Sequence, residues 1–126
     1  MRSDTPQRLL AAAAVAAAAT GVLASSTSGA TKKPAPKKLT VGVFDNYYLP
    51  ATKKIKVGTT VRWHWDVTTI DVHDVALAKA PKGVKKFQSD PLASGQSYTK
   101  KLTKPGTYSF ICTFHQDMTM KLTVVR

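Results

Sequence analysis

From Leu39 to the end of the chain, apolar and polar residues alternate with a period of two, which is typical of half-buried β-strands. The alternation is clearest at residues 61–65 and 108–112, and glycine or proline turns, such as Lys-Pro-Gly at 104–106, separate the runs. No stretch after residue 38 has a convincing helical period. The pattern therefore predicts an all-β domain at residues 39–126, an antiparallel β-sandwich or barrel of six to eight short strands.

The first thirty residues have the features of an export signal. Two arginines precede a mostly apolar run at residues 9–23, and candidate cleavage sites follow after Ala24 and Ala30. The run is shorter than the ~20 apolar residues that a membrane-spanning helix needs. We therefore expect a signal peptide at residues 1–30 rather than a retained anchor, and an exported protein that is periplasmic, or secreted and associated with the cell envelope.

The net charge of +12 restricts the partners of the exported chain. Residues 31–38 combine lysine and proline and predict an extended linker. Further lysines cluster at 53–56, 79–86 and 100–104, which favours a partner protein with an acidic docking surface, or contact with an anionic membrane or cell-wall polymer. Export argues against nucleic acid as a partner. A basic β-sandwich that binds polyanions without a metal is one alternative.

The most informative residues for chemistry lie near the end of the chain. Cys112 ends a predicted strand, His115 follows three residues later and Met118 three residues after that. A thiolate, an imidazole and a thioether together prefer copper to hard cations. A second imidazole must come from elsewhere, and His64 and His73 are the only other histidines. We favour His73, which follows a turn-rich segment, because the alternation places His64 on the face opposite the neighbouring tryptophans.

A copper ion held by His73, Cys112 and His115, with a methionine as a weak axial ligand, has the ligand set of blue-copper electron transfer. Met120 is an alternative axial ligand because it shares a strand face with Met118. A Cys112–His115 nucleophile and base would instead suggest an enzyme. That interpretation lacks a third orienting group and leaves the upstream histidine unexplained, so we expect no enzymatic activity.

Residues 39–126 resemble the cupredoxin family of type 1 blue copper proteins, most closely the amicyanin type in loop length, with plastocyanins as near relatives. The resemblance rests on residues 56–63, on His73 followed by Val75, on residues 105–112, and on the histidine and methionine that follow. It implies a Greek-key β-sandwich with one copper ion that shuttles single electrons between larger redox proteins. The family's shorter loop places the axial methionine three residues after the histidine, which implies Met118. We expect a monomer.

Three positions depart from the family pattern. Phe114 replaces a common proline and keeps a backbone N–H near the Cys112 sulfur. Asp74 replaces an asparagine that braces the cysteine loop; we expect it to accept a hydrogen bond from Thr113 and to lower the reduction potential. Met120 replaces a glycine. No departure removes a ligand, and a copper carrier or sequestering protein without electron transfer is the alternative function.

Overall fold

The computed structural model describes residues 21, 35 and 37–126, so the predicted signal peptide and most of the predicted linker lie outside the described residues. Within the described residues every regular element is a strand, and no helix has the length and apolar character needed to cross a membrane. The strands are β1 (Lys38–Phe44), β2 (Tyr47–Leu49), β3 (Thr52–Lys56), β4 (Thr59–Trp65), β5 (Ala76–Lys79), β6 (Ser97–Leu102), β7 (Gly106–Ile111) and β8 (Thr119–Val125).

The strands form two four-stranded sheets, which confirms the predicted all-β sandwich. One sheet has the order β2-β1-β4-β6 and the other β3-β8-β7-β5. The predicted antiparallel pairing is found for four of the six strand pairs, but β1 pairs with β4 and β3 with β8 in parallel. Both parallel partners are distant in sequence, since the chain passes from one sheet to the other between β2 and β3. β1 begins at Lys38, one residue before the expected start of the domain, and Lys38 pairs with Thr60 of β4.

The core lies between the inward faces of the two sheets. Val61, Trp63 and Trp65 of β4 are fully buried, as the alternation predicts, and belong to the same core cluster as Phe110 of β7. The rings of Trp63 and Phe110 meet edge to face with centroids 5.1 Å apart. Burial of each large apolar side chain contributes about 1.5–3 kcal/mol to folding. The strand ends that project beyond this core are therefore held on a rigid base.

Three strands run toward the same end of the sandwich. β1 ends at Phe44, β4 at Trp65 and β7 at Ile111, and side-chain contacts join the segments that follow them. We call this end, formed by residues 44–47, 65–75 and 112–118, the site end. It gathers His73, Cys112, His115 and Met118, whereas the two alternative candidates, His64 and Met120, lie within β4 and β8.

Candidate metal centre

Cys112 is the first residue of a short loop between β7 and β8. Two backbone hydrogen bonds within the loop hold its conformation. The backbone N–H of Cys112 donates to the carbonyl of Met118 at 3.0 Å, and the N–H of Met118 donates to the carbonyl of His115 at 3.3 Å. Cys112 and Met118 are buried, whereas the His115 side chain is 23% exposed. The loop therefore presents a thiol, an imidazole and a thioether from one hydrogen-bonded turn, in the order that the sequence spacing predicted.

His73 reaches the same place from the segment between β4 and β5. Its backbone exchanges two hydrogen bonds with Leu92, and its carbonyl accepts a third from Nε1 of Trp65 at 3.1 Å. The side chain is 0% exposed. Because the N–H and the carbonyl of His73 are both hydrogen-bonded, the backbone holds the ring in a fixed position at the site end.

Three donor atoms converge between these segments. Sγ of Cys112 lies 3.8 Å from Nδ1 of His73 and 3.6 Å from Nδ1 of His115, and all three donors lie within 4.8 Å of one another. The sulfur–nitrogen separations are below roughly 4.4 Å, the longest that two metal–ligand bonds of zinc-like length span. One thiolate and two imidazoles suit copper. The residues present therefore fit a single copper ion.

The other histidine lies elsewhere. His64 is partly exposed on β4, and its Nδ1 is 2.9 Å from Oγ of Ser97 on the neighbouring strand. It points away from the face that carries Trp63 and Trp65, which are buried. The structure thus brings His73 to the cysteine and leaves His64 on the outer surface, as the alternation predicted.

The two methionines occupy different positions. Met118 closes the Cys112 loop through its backbone, and its side chain is 1% exposed. Met120 pairs with Phe110 across β8 and β7, and it is also buried. Met118 thus belongs to the hydrogen-bonded turn that carries Cys112 and His115, whereas Met120 belongs to the sheet.

The carboxylate of Asp45, which the sequence pattern did not identify, orients His73. Oδ1 of Asp45 accepts a hydrogen bond from Nε2 of His73 at 2.9 Å, and the carboxylate also accepts from the backbone N–H groups of Ile70 and Asp71. With the proton on Nε2, Nδ1 is free to face the metal. The His73 bond, followed by the two backbone bonds, lowers the pKa of Asp45 to about 2.

Asp45 has no local sequence signal because it is 28 residues from His73 in the chain. It starts the turn between β1 and β2, in which Asn46 adopts a φ of 70°. Asparagine tolerates this left-handed conformation better than most residues. The Asp-Asn pair predicts a tight turn, but only the packing of that turn against residues 70–73 reveals its role at the metal centre.

Asp74, one of the three departures from the family pattern, has hydrogen-bond partners for its carboxylate within the fold. Its buried carboxylate accepts hydrogen bonds from Thr113 and from Nε2 of Gln88, the latter at 2.8 Å. Its carbonyl accepts from the hydroxyl of buried Tyr48 at 2.6 Å. Burial, with smaller contributions from the charges of Cys112 and Asp74, raises the pKa of Tyr48 well above its usual range. Tyr48 therefore remains a neutral donor.

Known copper proteins are similar to this chain in sequence. The pattern of copper binding proteins of the plastocyanin/azurin family matches residues 37–125. The chain belongs to this family. It is therefore a cupredoxin, and its cofactor is copper, as the resemblance implied. Amicyanin-alpha from Methylorubrum extorquens is 32% identical over 114 residues, covering 90% of this chain and 94% of that protein.

Solved cupredoxin structures have the same fold. A reduced amicyanin variant aligns with a TM-score of 0.63 at 25% identity, covering 72% of this chain and 85% of that one. A copper-containing nitrite reductase from Thermus scotoductus aligns with a TM-score of 0.60 at 29% identity. That alignment covers 75% of this chain but only 23% of the reductase. The chain thus spans about a quarter of the enzyme.

Proposed function

We propose that this cupredoxin is an exported blue copper protein that carries single electrons between redox partners. His73, Cys112, His115 and Met118 hold its copper in this proposal. The observation that carries it is the convergence of one cysteine sulfur and two histidine Nδ1 atoms within 4.8 Å at the site end. Copper, when bound, supplies the one-electron couple between Cu(I) and Cu(II).

The ligands are held by contacts that need not change when the charge of the centre changes. Cys112 would hold copper as the thiolate, the form of cysteine that ligates metals. Asp45 and the Trp65 indole fix His73, while the hydrogen bonds of Cys112 and Met118 fix the loop. Since these contacts are present in the protein itself, little reorganisation accompanies electron transfer.

His115 provides the route for the electron. It is the only one of the four ligands that is partly exposed, and Phe114 beside it is 53% exposed. Val72 and Ile70, also exposed, lie on the other segment of the site end. An apolar surface around the imidazole edge suits a transient contact with a redox partner. The docking surface at this end therefore combines exposed apolar side chains with the carboxylate of Asp71, whose Oδ2 lies 3.8 Å from Nε2 of His115.

Export and an acidic partner are finer parts of the proposal. Export rests on the sequence of residues 1–30, which precede a domain that belongs to a copper-binding family. The lysines expected to attract an acidic partner, such as Lys100, Lys101 and Lys104, lie near the end of β6 and in the turn before β7, whereas Cys112 follows the opposite end of β7. Their position does not support steering toward the copper, so the acidic docking surface stays a prediction.

Copper loading tests the proposal. Cu(II) added to the purified protein is expected to give an intense blue thiolate band and reversible one-electron voltammetry. Cys112→Ser loses the band, whereas Met120→Leu, a buried change of similar volume outside the loop, keeps it. A blue band without reversible voltammetry would favour the alternative, a copper carrier. The absence of any thiolate band in the loaded protein would refute the copper site itself.

A further inference from the structure

Acidic side chains are confined to one end of the described chain. Five of its aspartates belong to the site end or its turns, and the sixth lies in the segment that pairs with residues 73–76. The set is Asp45, Asp66, Asp71, Asp74, Asp117 and, in that pairing segment, Asp90. The opposite end of the sandwich thus has no aspartate among the residues described.

Lysines occupy that opposite end. We call it the basic pole, and it comprises Lys37, Lys38, Lys56, Lys82, Lys85, Lys100, Lys101 and Lys104. The strand registers place them there: Lys38 and Lys101 both pair with Thr60 at the start of β4, and Lys56 pairs with Val125 at the end of β8. Both sheets and three connections therefore contribute positive charge to one end.

Several of these lysines surround a common groove. Its volume is about 250 Å³, and Lys85, Lys100, Lys101 and Lys104 line it. Nζ of Lys104 donates to the carbonyl of Gly83 at 3.2 Å, and Nζ of Lys100 lies 4.7 Å from the centre of the Phe87 ring. The other ammonium protons remain available for an anion. The groove thus offers clustered positive charge to a phosphate group.

The basic pole does not have the character of a protein interface. Protein interfaces are depleted in lysine and depend on buried aromatic or aliphatic anchors. The exposed large hydrophobic side chains of the described residues all lie in the half of the sandwich near the site end: Tyr47, Leu49, Val67, Ile70, Val72, Ile111 and Phe114. At the basic pole the apolar side chains of the groove, such as Val84 and Phe87, are only partly exposed. The fully exposed anchors that a protein partner needs lie at the site end.

The chain enters the domain at the same pole. The carbonyl of Lys37 accepts a hydrogen bond from the N–H of Thr60, and β1 begins at the next residue. Two more lysines, Lys32 and Lys33, precede this point in the sequence and follow the predicted signal peptide. A cluster of four or more basic residues, such as Lys32, Lys33, Lys37 and Lys38, favours contact with anionic lipid.

From these observations we propose that the basic pole docks on the surface of an anionic phospholipid bilayer, with the site end facing away from the lipid. Lysine ammonium groups bind lipid phosphates through diffuse attraction, which needs no apolar anchor and weakens as salt screens it. The orientation leaves the Phe114 surface free for a soluble partner. This proposal goes beyond electron carriage and needs no copper, so either can fail while the other stands.

Vesicle sedimentation of the full chain tests it. Vesicles of phosphatidylglycerol and phosphatidylcholine in equal parts are expected to bind the protein at least about tenfold more tightly than pure phosphatidylcholine vesicles, with the difference lost at high salt. The neutral vesicles account for any binding through residues 9–23. Equal binding to both kinds of vesicle would overturn the proposal.

Two variants of equal charge locate the contact. Lys85→Gln with Lys100→Gln and Lys101→Gln removes three charges from the pole, and Lys53→Gln with Lys79→Gln and Lys121→Gln removes three exposed charges from elsewhere. The first is expected to weaken binding to acidic vesicles by roughly tenfold or more, and the second much less. Equal losses would refute the orientation, because binding would then follow net charge alone.

Two further measurements complete the test. Acidic vesicles are expected to leave the rate of copper reduction by a small soluble reductant unchanged, because the site end faces away; strong slowing would contradict the orientation. Polyglutamate provides a competitor without lipid. Tight binding to polyglutamate without binding to acidic vesicles would replace the lipid surface with an acidic protein or polymer and overturn the proposal.

Discussion

The carboxylate of Asp74 accepts hydrogen bonds from both the backbone N–H and the hydroxyl of Thr113, 39 residues away in the chain. Asp74 follows His73, and Thr113 follows Cys112, so this contact ties together the two segments that carry the convergent imidazole and thiol. The carboxylate is buried, with its residue 1% exposed. The sequence-based expectation that Asp74 accepts from Thr113 is therefore confirmed.

Asp74→Asn is expected to raise the reduction potential. A buried negative charge beside the centre favours Cu(II), and asparagine keeps an acceptor for the Thr113 N–H while removing that charge. The expected shift is on the order of 60 mV, equivalent to a tenfold change in the one-electron equilibrium. Voltammetry measures it, with exposed Asp90→Asn as the control. An unchanged or lower potential in Asp74→Asn would contradict this role.

Asp45→Ala is expected to weaken copper binding by about tenfold to a hundredfold, the usual effect of losing the hydrogen-bond partner of a ligating histidine. The His73 ring would lose the contact that keeps the proton on Nε2. Asp45→Asn retains an acceptor oxygen and should restore most of the affinity. Competition with a copper chelator measures the three proteins, and equal affinities would show that Trp65 and Leu92 alone position the ring.

Met118→Leu is expected to raise the reduction potential and alter the blue spectrum, because the thioether that stabilises Cu(II) is lost. Met120→Leu should leave both properties unchanged, although either substitution costs under about 1.5 kcal/mol of stability. Voltammetry and visible absorption on the two variants identify the axial ligand. The reverse pattern would assign that role to Met120.

Acid stability is expected to depend in part on Asp66. Oδ1 of Asp66 accepts hydrogen bonds from the hydroxyl and the backbone N–H of Thr68, which lower the pKa of Asp66. A carboxylate with a lower pKa in the folded state stabilises the fold above its unfolded pKa of about 3.9, and this contribution is lost as the pH falls through the folded value.

Asp66→Asn should therefore be less stable than the wild type near neutral pH. This difference in the free energy of unfolding should shrink below about pH 4, because the wild-type carboxylate is then protonated. Urea unfolding at several pH values measures the difference in the free energy of unfolding between the two proteins. Exposed Asp90→Asn serves as the comparison. A difference between wild type and Asp66→Asn that does not shrink in acid would rule out the Thr68 contacts as its cause.

The local alternation of apolar and polar residues was sufficient to predict part of the fold. The alternation from 61 to 65 identified a strand with an inner and an outer face because side chains in a strand alternate, and that rule alone separated buried Trp63 from outward-facing His64. It could not identify β1 and β4 as parallel neighbours, because pairing between distant segments depends on how the chain crosses between sheets.

The sequence by itself determined the chemistry of the metal centre, since the spacing of Cys112, His115 and Met118 places three soft donors in one turn whatever surrounds them. Only the tertiary structure decided how His73 is held, because Asp45 reaches it from a turn 28 residues away and carries no local signal. The separation of the lysines from the aspartates was likewise decided by the fold. The sequence gives the charge of each residue, but the distribution of positive and negative charge over the molecule depends on which strand ends the topology brings together.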